Sequence, residues 1–309
     1  MKKGGSAAGR YRSSPWHALQ FESPTPLRAR EILEAAESAV SSGRLPAAAS
    51  AKEYLNLTSS RTFLQALGEP DLLNRWAETV FAFIRLTGYN LLDLFESRIR
   101  EQPHKILFQD MSASTPVQWT YEQVGRRVRE LAGSFYAMGQ EDGAEPRVAI
   151  YAENNVECAS ADLACLLYDI LDTPINPHFN IDNLVEIFDA LNITIALTDR
   201  PDRRKILGEV RRRTARPFRI LTVAPAGKPE NEKDGVLIEY AKRRPVRSLE
   251  SLLEARRRRP VNEVATVMFT SGSTGRPKGV SFSSYHLVSK RFARAAALPD
   301  VGDDEVFLS

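Results

Sequence analysis

Apolar residues recur along this chain at two spacings, and the change from one to the other divides it. In the first part the spacing is helical. Ile32, Leu33, Ala36 and Val40 mark one face after Thr25, a capping residue, and Pro26, a proline at the first helical position; the run stops at Gly43. Leu72, Leu73, Trp76, Val80 and Ile84 repeat the pattern between Pro70 and Gly88. N-L-L-D, with Asn90 as cap and Asp93 in the first turn, opens a helix that runs through Ile99 and halts before Pro103. K-I-L-F-Q-D (105–110) reads as a strand. T-Y-E-Q at Thr120 to Gln123 is a capping box, and Val124, Val128, Leu131, Phe135 and Met138 carry one apolar face to Gly139.

Then short apolar runs alternate with helical ones. R-V-A-I-Y-A (147–152), T-P-I-N (173–176), I-T-I-A-L-T (193–198) and F-R-I-L-T-V (218–223) read as strands. Between them lie helices over Val156 to Ile170, Asp182 to Leu191 and 201–214. After a polar stretch with a short segment V-L-I-E-Y (236–240), V-A-T-V-M-F (264–269) is a buried strand. Alternation of this kind makes right-handed crossovers and a mainly parallel sheet, so the expected fold class is α/β. Residues 1–88 are expected to be a basic leader (1–24) and a helical extension, and residues 89–309 an α/β domain.

Composition changes little. With 43% hydrophobic and 26% charged residues in 309, and a net charge of +3, the chain is an ordinary globular one, and its mild basic excess implies neither nucleic acid nor membrane. Cys158 and Cys165, seven apart in an apolar run, fall on one helical face with no histidine cluster nearby, so they read as core thiols and no metal site is expected. The N-terminus lacks the apolar stretch of a secretory signal, and the expected location is cytoplasmic. Four basic runs (203–205, 211–213, 242–244 and 256–259) read as solvated faces and connectors, with loose attachment to an anionic membrane surface as the secondary reading; no aromatics interleave with them, which argues against nucleic acid. Asp162, Asp169 and Asp172 flank the helix Val156 to Ile170 and are expected to face solvent or serve as caps.

The strand 264–269 runs straight into T-S-G-S-T-G-R-P-K-G-V, Thr270 to Val280. A strand entering a Gly, Ser and Thr loop and then a helix is an arrangement in which backbone N–H groups and hydroxyls converge on an anion. Gly272, Gly275 and Gly279 permit positive φ and close backbone approach; Thr270, Ser271, Ser273 and Thr274 add hydroxyls; Lys278 adds a mobile positive charge. The chemistry points to a nucleotide triphosphate. The Walker A pattern fails on counting, since Pro277 stands five residues after Gly272 and Gly279 occupies the position of the Mg²⁺-binding hydroxyl.

The stretch resembles the phosphate loop of AMP-forming acyl-CoA synthetases, firefly luciferases and nonribosomal peptide adenylation domains, T-S-G-[ST]-T-G-x-P-K-G, at every specified position from Thr270 to Gly279. Nine fixed positions at roughly 6% usage make a chance match on the order of one in a billion. W-T-Y at Trp119 to Tyr121 and R-V-A-I-Y-A-E-N-N-V-E-C, around Asn154 and Glu157, look like the same family, and A-D-L-A-C followed by T-P-I-N-P looks most like its fatty-acyl branch. The resemblance covers about residues 89–309. It implies an adenylate-forming ligase that joins a small-molecule carboxylic acid, most like a fatty acid, to coenzyme A through an acyl-adenylate, using ATP and Mg²⁺. In that reading Lys278 and Thr274 carry the catalytic load, Thr274 being the hydroxyl that meets phosphate or metal.

The sequence also departs from the family. Aligned from Gly279, Ser284 stands where many relatives carry a histidine, with His286 two residues on; a surface or helix-packing role is expected for His286, and Ser283 or Ser284 as a cap. The family's Tyr-Gly-x-Thr-Glu segment, ribose-binding Asp and C-terminal catalytic Lys are not found in the 309 residues, so the resemblance implies a chain cut in mid-domain and inactive by itself. Two other readings stand beside the ligase: a non-catalytic interaction protein with a vestigial nucleotide loop, and an unrelated P-loop phosphotransferase, which the Walker mismatch opposes.

Overall fold

Side-chain caps set the helix boundaries in the computed structural model, which describes residues 24–43, 48–111, 116–223, 235–237, 250–256, 260–271 and 276–301. Most of the leader, the segment 238–240 of V-L-I-E-Y and the basic run 242–244 lie outside the described residues. Two compact units are present, one formed by described residues up to Thr87 together with those from Ser289 on, the other by Gly88 to Val288.

The first unit contains α1 (Pro26–Ser41), α2 (Ala48–Thr58), α3 (Arg61–Leu67) and α4 (Pro70–Thr87). Thr25 caps α1 by accepting the Arg28 N–H, and Gly43 and Gly88 take the positive φ that ends α1 and α4. Ile32, Leu33, Trp76, Val80 and Ile84 are buried, as their spacing requires. Trp76 donates its indole N–H to Thr58 Oγ1 at 2.9 Å, and Tyr54 meets Phe83 edge-on at 5.1 Å.

In the second unit the Asn90 and Asp93 capping box opens α5 (Leu91–Glu101), and β1 (Ile106–Asp110) and β2 (Val117–Thr120) form a two-stranded antiparallel ribbon. The Thr120 and Gln123 capping box then starts α6 (Tyr121–Asp142). This helix passes Gly139, where the sequence pattern stops, by one further turn; the left-handed residue that ends it is Gly143, at φ +63°. Gly139 serves packing instead. A Cβ there would stand 2.6 Å from the Ala144 carbonyl oxygen and 3.0 Å from Pro146 Cδ.

The main sheet follows: β3 (Arg147–Tyr151), α7 (Val156–Leu167), β4 (Leu171–Pro174), α8 (Ile181–Leu191), β5 (Ile195–Thr198), α9 (Pro201–Arg213), β6 (Arg219–Thr222), β7 (Gly235–Val236), α10 (Glu250–Arg256), β8 (Val264–Ser271), β9 (Pro277–Ser283) and α11 (Ser284–Ala297). Its strand order is β7-β6-β5-β3-β4-β8-β9, parallel throughout except for the antiparallel β8–β9 pair. The fold class is α/β, as expected. Alternate residues of each strand enter two cores. Val148, Ile150, Ile195 and Leu197 pack with Val128, Leu131 and Phe135 of α6 and with α7, whereas Ala149, Tyr151, Ala196 and Ile220 pack with Ile187 and Phe188 of α8 and with α9. Both faces are covered, which explains why these strands read as continuous apolar runs.

The helix expected to reach Ile170 ends at Leu167, because Asp169 takes a left-handed conformation at φ 60° and turns the chain into β4. Cys158 and Cys165 are free, buried thiols on α7. Burial pushes Cys158 up to about 11 and raises Cys165 well above the ordinary thiol value.

The expectation that the three aspartates face solvent or act as caps fails for Asp172. It is fully buried in β4, opposite Thr266 of β8, and among the described residues neither carboxylate oxygen has a hydrogen-bond partner within bonding geometry. Burial first, and then the Asp162 carboxyl on α7, hold its pKa well above the ordinary carboxylate range, with Thr266 acting in the opposite direction.

Two stability predictions follow from this packing. Gly139→Ala is expected to cost about 2 kcal/mol in urea unfolding despite alanine's better helix propensity, since the added Cβ meets backbone. The Asp172 carboxyl keeps its proton longer in the folded state than in the unfolded one, so the stability it contributes at acid pH is lost as pH rises above the unfolded value near 3.8. Asp172→Asn should therefore gain on the wild type between pH 4 and 8, by at most ~1.4 kcal/mol per pH unit. Parallel stability curves over that range would contradict it.

Candidate functional site

The segment expected to hold phosphate joins two antiparallel strands. β8 and β9 pair with Phe269 opposite Gly279, Thr270 opposite Lys278 and Ser271 opposite Pro277. The loop therefore sits at the tip of a β-hairpin, and the expectation that it leads directly into a helix is corrected: β9 intervenes, and α11 starts only at Ser284. Gly272, Ser273, Thr274 and Gly275 lie outside the described residues, as does the side chain of Ser271. Thr270 and Lys278 are brought together across the hairpin, both exposed, with Thr270 Oγ1 3.5 Å from the Lys278 carbonyl oxygen.

Gly279 does not use the positive φ that its residue type permits, and among the described glycines that conformation belongs to Gly43, Gly68, Gly88 and Gly143. Its bare Cα serves side-chain packing: a Cβ would meet Phe269 Cε1 and Val267 Cγ1, each at 3.1 Å. Phe269 packs in turn against the core under α8 and α9, which ties the hairpin to the sheet's interior. Arg276, exposed beside Pro277, is a second cation next to the loop that the motif leaves unspecified. The signal for it was its place at the variable position of an otherwise fixed pattern.

Ser283 and His286 close the start of α11. The His286 N–H donates to Ser283 Oγ at 3.3 Å, and His286 Nδ1 accepts the Ser283 N–H at 3.1 Å. This is reciprocal capping, with Ser283 as the cap and His286 exposed on the surface. The first amide groups of the helix thus have partners of their own.

In the described basic runs three arginines are paired locally, and Arg203 and Arg204 are buried where a solvated face was expected. Arg203 pairs with Asp199 at 2.8 Å and with Glu153, Arg212 with Glu209, and Arg213 with Asp182 at 2.5 Å. Side chains of the run 256–259 lie outside the described residues. Among the described residues no helix is long and apolar enough to cross a membrane.

Several known proteins are similar to this chain. Long-chain-fatty-acid–CoA ligase 1 of Cavia porcellus is 24% identical over 210 residues, which are 64% of this chain and 29% of that protein. Long-chain-fatty-acid–CoA ligase 6 of Rattus norvegicus is 26% identical over 184 residues, 56% of this chain and 26% of that protein. The chain thus spans less than a third of the length of these curated relatives. A putative long-chain-fatty-acid CoA ligase from Rhodopseudomonas palustris CGA009 shares the fold with a TM-score of 0.53 at 17% identity, over 69% of this chain and 48% of that one. The anthranilate CoA ligase AuaEII, solved with anthranoyl-AMP, does so with a TM-score of 0.51 at 13% identity, over 64% of this chain and 35% of that one. Residues 95–309, well over half of the chain, match the family described as AMP-binding enzyme. On that match, this chain belongs to the AMP-binding enzyme family.

Proposed function

We propose that these residues supply the triphosphate-binding hairpin of an AMP-forming acid–thiol ligase whose acid is a long-chain fatty acid and whose thiol is coenzyme A. The single observation that carries the reading is the β8–β9 register, which sets Thr270 across from Lys278 at the base of a loop with the phosphate-binding motif. Backbone amides and hydroxyls of Thr270 to Gly275 would hold the β and γ phosphates, and Lys278 would oppose their charge while the acid's carboxylate attacks the α-phosphorus. The exposed Thr270 hydroxyl and the Thr274 hydroxyl are hard oxygen donors of the type Mg²⁺ accepts through water or directly; when bound, the ion supplies charge neutralisation on the phosphates. The acid needs no general base, since a carboxylate is already ionised at neutral pH.

The fatty-acid assignment rests on the two curated relatives above, long-chain-fatty-acid–CoA ligases of which the matched stretch is less than a third. We accordingly propose that acyl-adenylate formation and thiol transfer require more chain than these 309 residues, and that the segment alone binds nucleotide weakly and does not turn over. Lys278→Ala is expected to weaken Mg·ATP binding about 10-fold by titration calorimetry, with the loss shrinking at high salt. Equal binding by the variant would remove Lys278 from the site. ATP–pyrophosphate exchange with palmitate should be absent from the 309-residue chain, and robust exchange would refute the need for further chain.

A further inference from the structure

Where β4 meets β8, three side-chain oxygens are buried with no hydrogen-bond partner in bonding geometry among the described residues: both carboxyl oxygens of Asp172 and the Oγ1 of Thr266. Asp172 is fully buried, and Thr266 is 1% exposed. The strand positions beside them are apolar. On β3 the residue in register with Asp172 is Val148, which is in register with Ile195 on its far side, and both are buried in the core under α6 and α7. Two titratable groups of α7 interact with Asp172 by charge: the Asp162 carboxyl and the Cys165 thiol, which burial holds in its neutral form.

The number of protons decides whether this seam can satisfy itself. With Asp172 protonated, its O–H can donate to the Asp162 carboxylate while its other oxygen accepts the Thr266 hydroxyl. With Asp172 ionised, only Thr266 of the two strand residues retains a donor, and two like charges face each other out of water. Opening the seam to water relieves that cost, since a solvated aspartate titrates near 3.8. Each pH unit above that value, up to the higher value of the closed seam, favours the open form by up to about tenfold. The hairpin can leave as a unit, because β8 and β9 are paired with each other from Val264 and Ser283 to Ser271 and Pro277, and β9 is the last strand of the sheet.

We propose that the β4–β8 seam is a proton-held latch: a proton on Asp172 closes β8 onto β4, and its loss releases the β8–β9 hairpin while the other parallel strands stay folded. The latch lies in the sheet, so it stands whether or not Thr270 to Gly279 bind ATP. Hydrogen exchange of the 309-residue chain, followed by mass spectrometry from pH 5 to 8 and corrected for the intrinsic pH dependence of exchange, tests it. Protection of peptides covering β4 and β8 is expected to fall by up to about 10-fold per pH unit, while peptides covering β5 and β6 keep theirs. Asp172→Asn, which cannot ionise, should flatten the fall at β4 and β8. Asp162→Asn, which leaves Asp172 in place without its like-charged neighbour, should make the fall level off at lower pH. Flat wild-type protection at β4 and β8, an equal fall at β5 and β6, or a wild-type profile in either variant overturns the latch.

Discussion

The seam between β4 and β8 is what gives the hairpin a fixed place. Ninety-odd residues of chain separate the two strands, and they meet in parallel at the pair Asp172 and Thr266. Next to that pair the buried Thr173 hydroxyl donates to the Val267 carbonyl at 2.6 Å. On its other side β8 pairs with the antiparallel β9, an edge strand whose middle residues are exposed. A one-residue slip at the seam would exchange the two faces of β8 and carry Phe269 out of the core under α8 and α9. The face on which the Thr270 and Lys278 pair stands over the sheet is therefore inherited from a contact several residues below it.

That seam contains a polar flaw. Asp172 sits inside the core formed by α6 and α7, where the neighbouring positions of β3 are apolar, and the charged neighbour that shifts it, Asp162, has the same sign. Burying a carboxylate beside another carboxylate favours the protonated form. The strand that fastens the hairpin to the sheet is thus made of residues that an apolar core would not select. By contrast, the buried charge of Arg219 in β6 is well compensated: it meets Asp142 at 2.6 Å and Glu141 at 2.9 Å, both at the end of α6. The two cases differ in whether an opposite charge is within reach.

Much of this architecture was legible from local pattern. The caps at Thr25, Asn90 and Thr120 act through side chains three residues from their partners, and the alternation of runs after Arg147 fixes a parallel sheet by chain connectivity alone. What was not legible depends on residues far apart in sequence. Gly139 looks like a stop signal because glycine usually is one; its packing against Ala144 and Pro146 exists only once the chain has turned back. Asp172 looks like a surface residue because most aspartates are, and α7 and β8 together decide otherwise. P-K-G-V-S-F-S carries too little β-propensity to announce a strand, and pairing with β8 makes it one. The loop's motif was readable residue by residue, whereas its position at a hairpin tip was not.

The hairpin changes how an anion would be held. A loop that ran into a helix would offer that helix's unpaired amides and roughly half a positive charge from its dipole. Here β9 places Ser284 beyond the loop, and the amide of His286 is already taken by Ser283. On the proposed reading, the burden moves to loop amides and hydroxyls and to two side-chain cations, Lys278 and Arg276, both exposed. Exposed cations act through a high dielectric and are screened by salt, so they give a polyphosphate less than a desolvated site would. Lysine is suited to such a position, because its flexible stem follows the phosphates as they shift while the strand beneath it stays in register. Tight nucleotide binding from this hairpin then requires a second surface that excludes water from Lys278, and that requirement follows from the exposure of the cation itself.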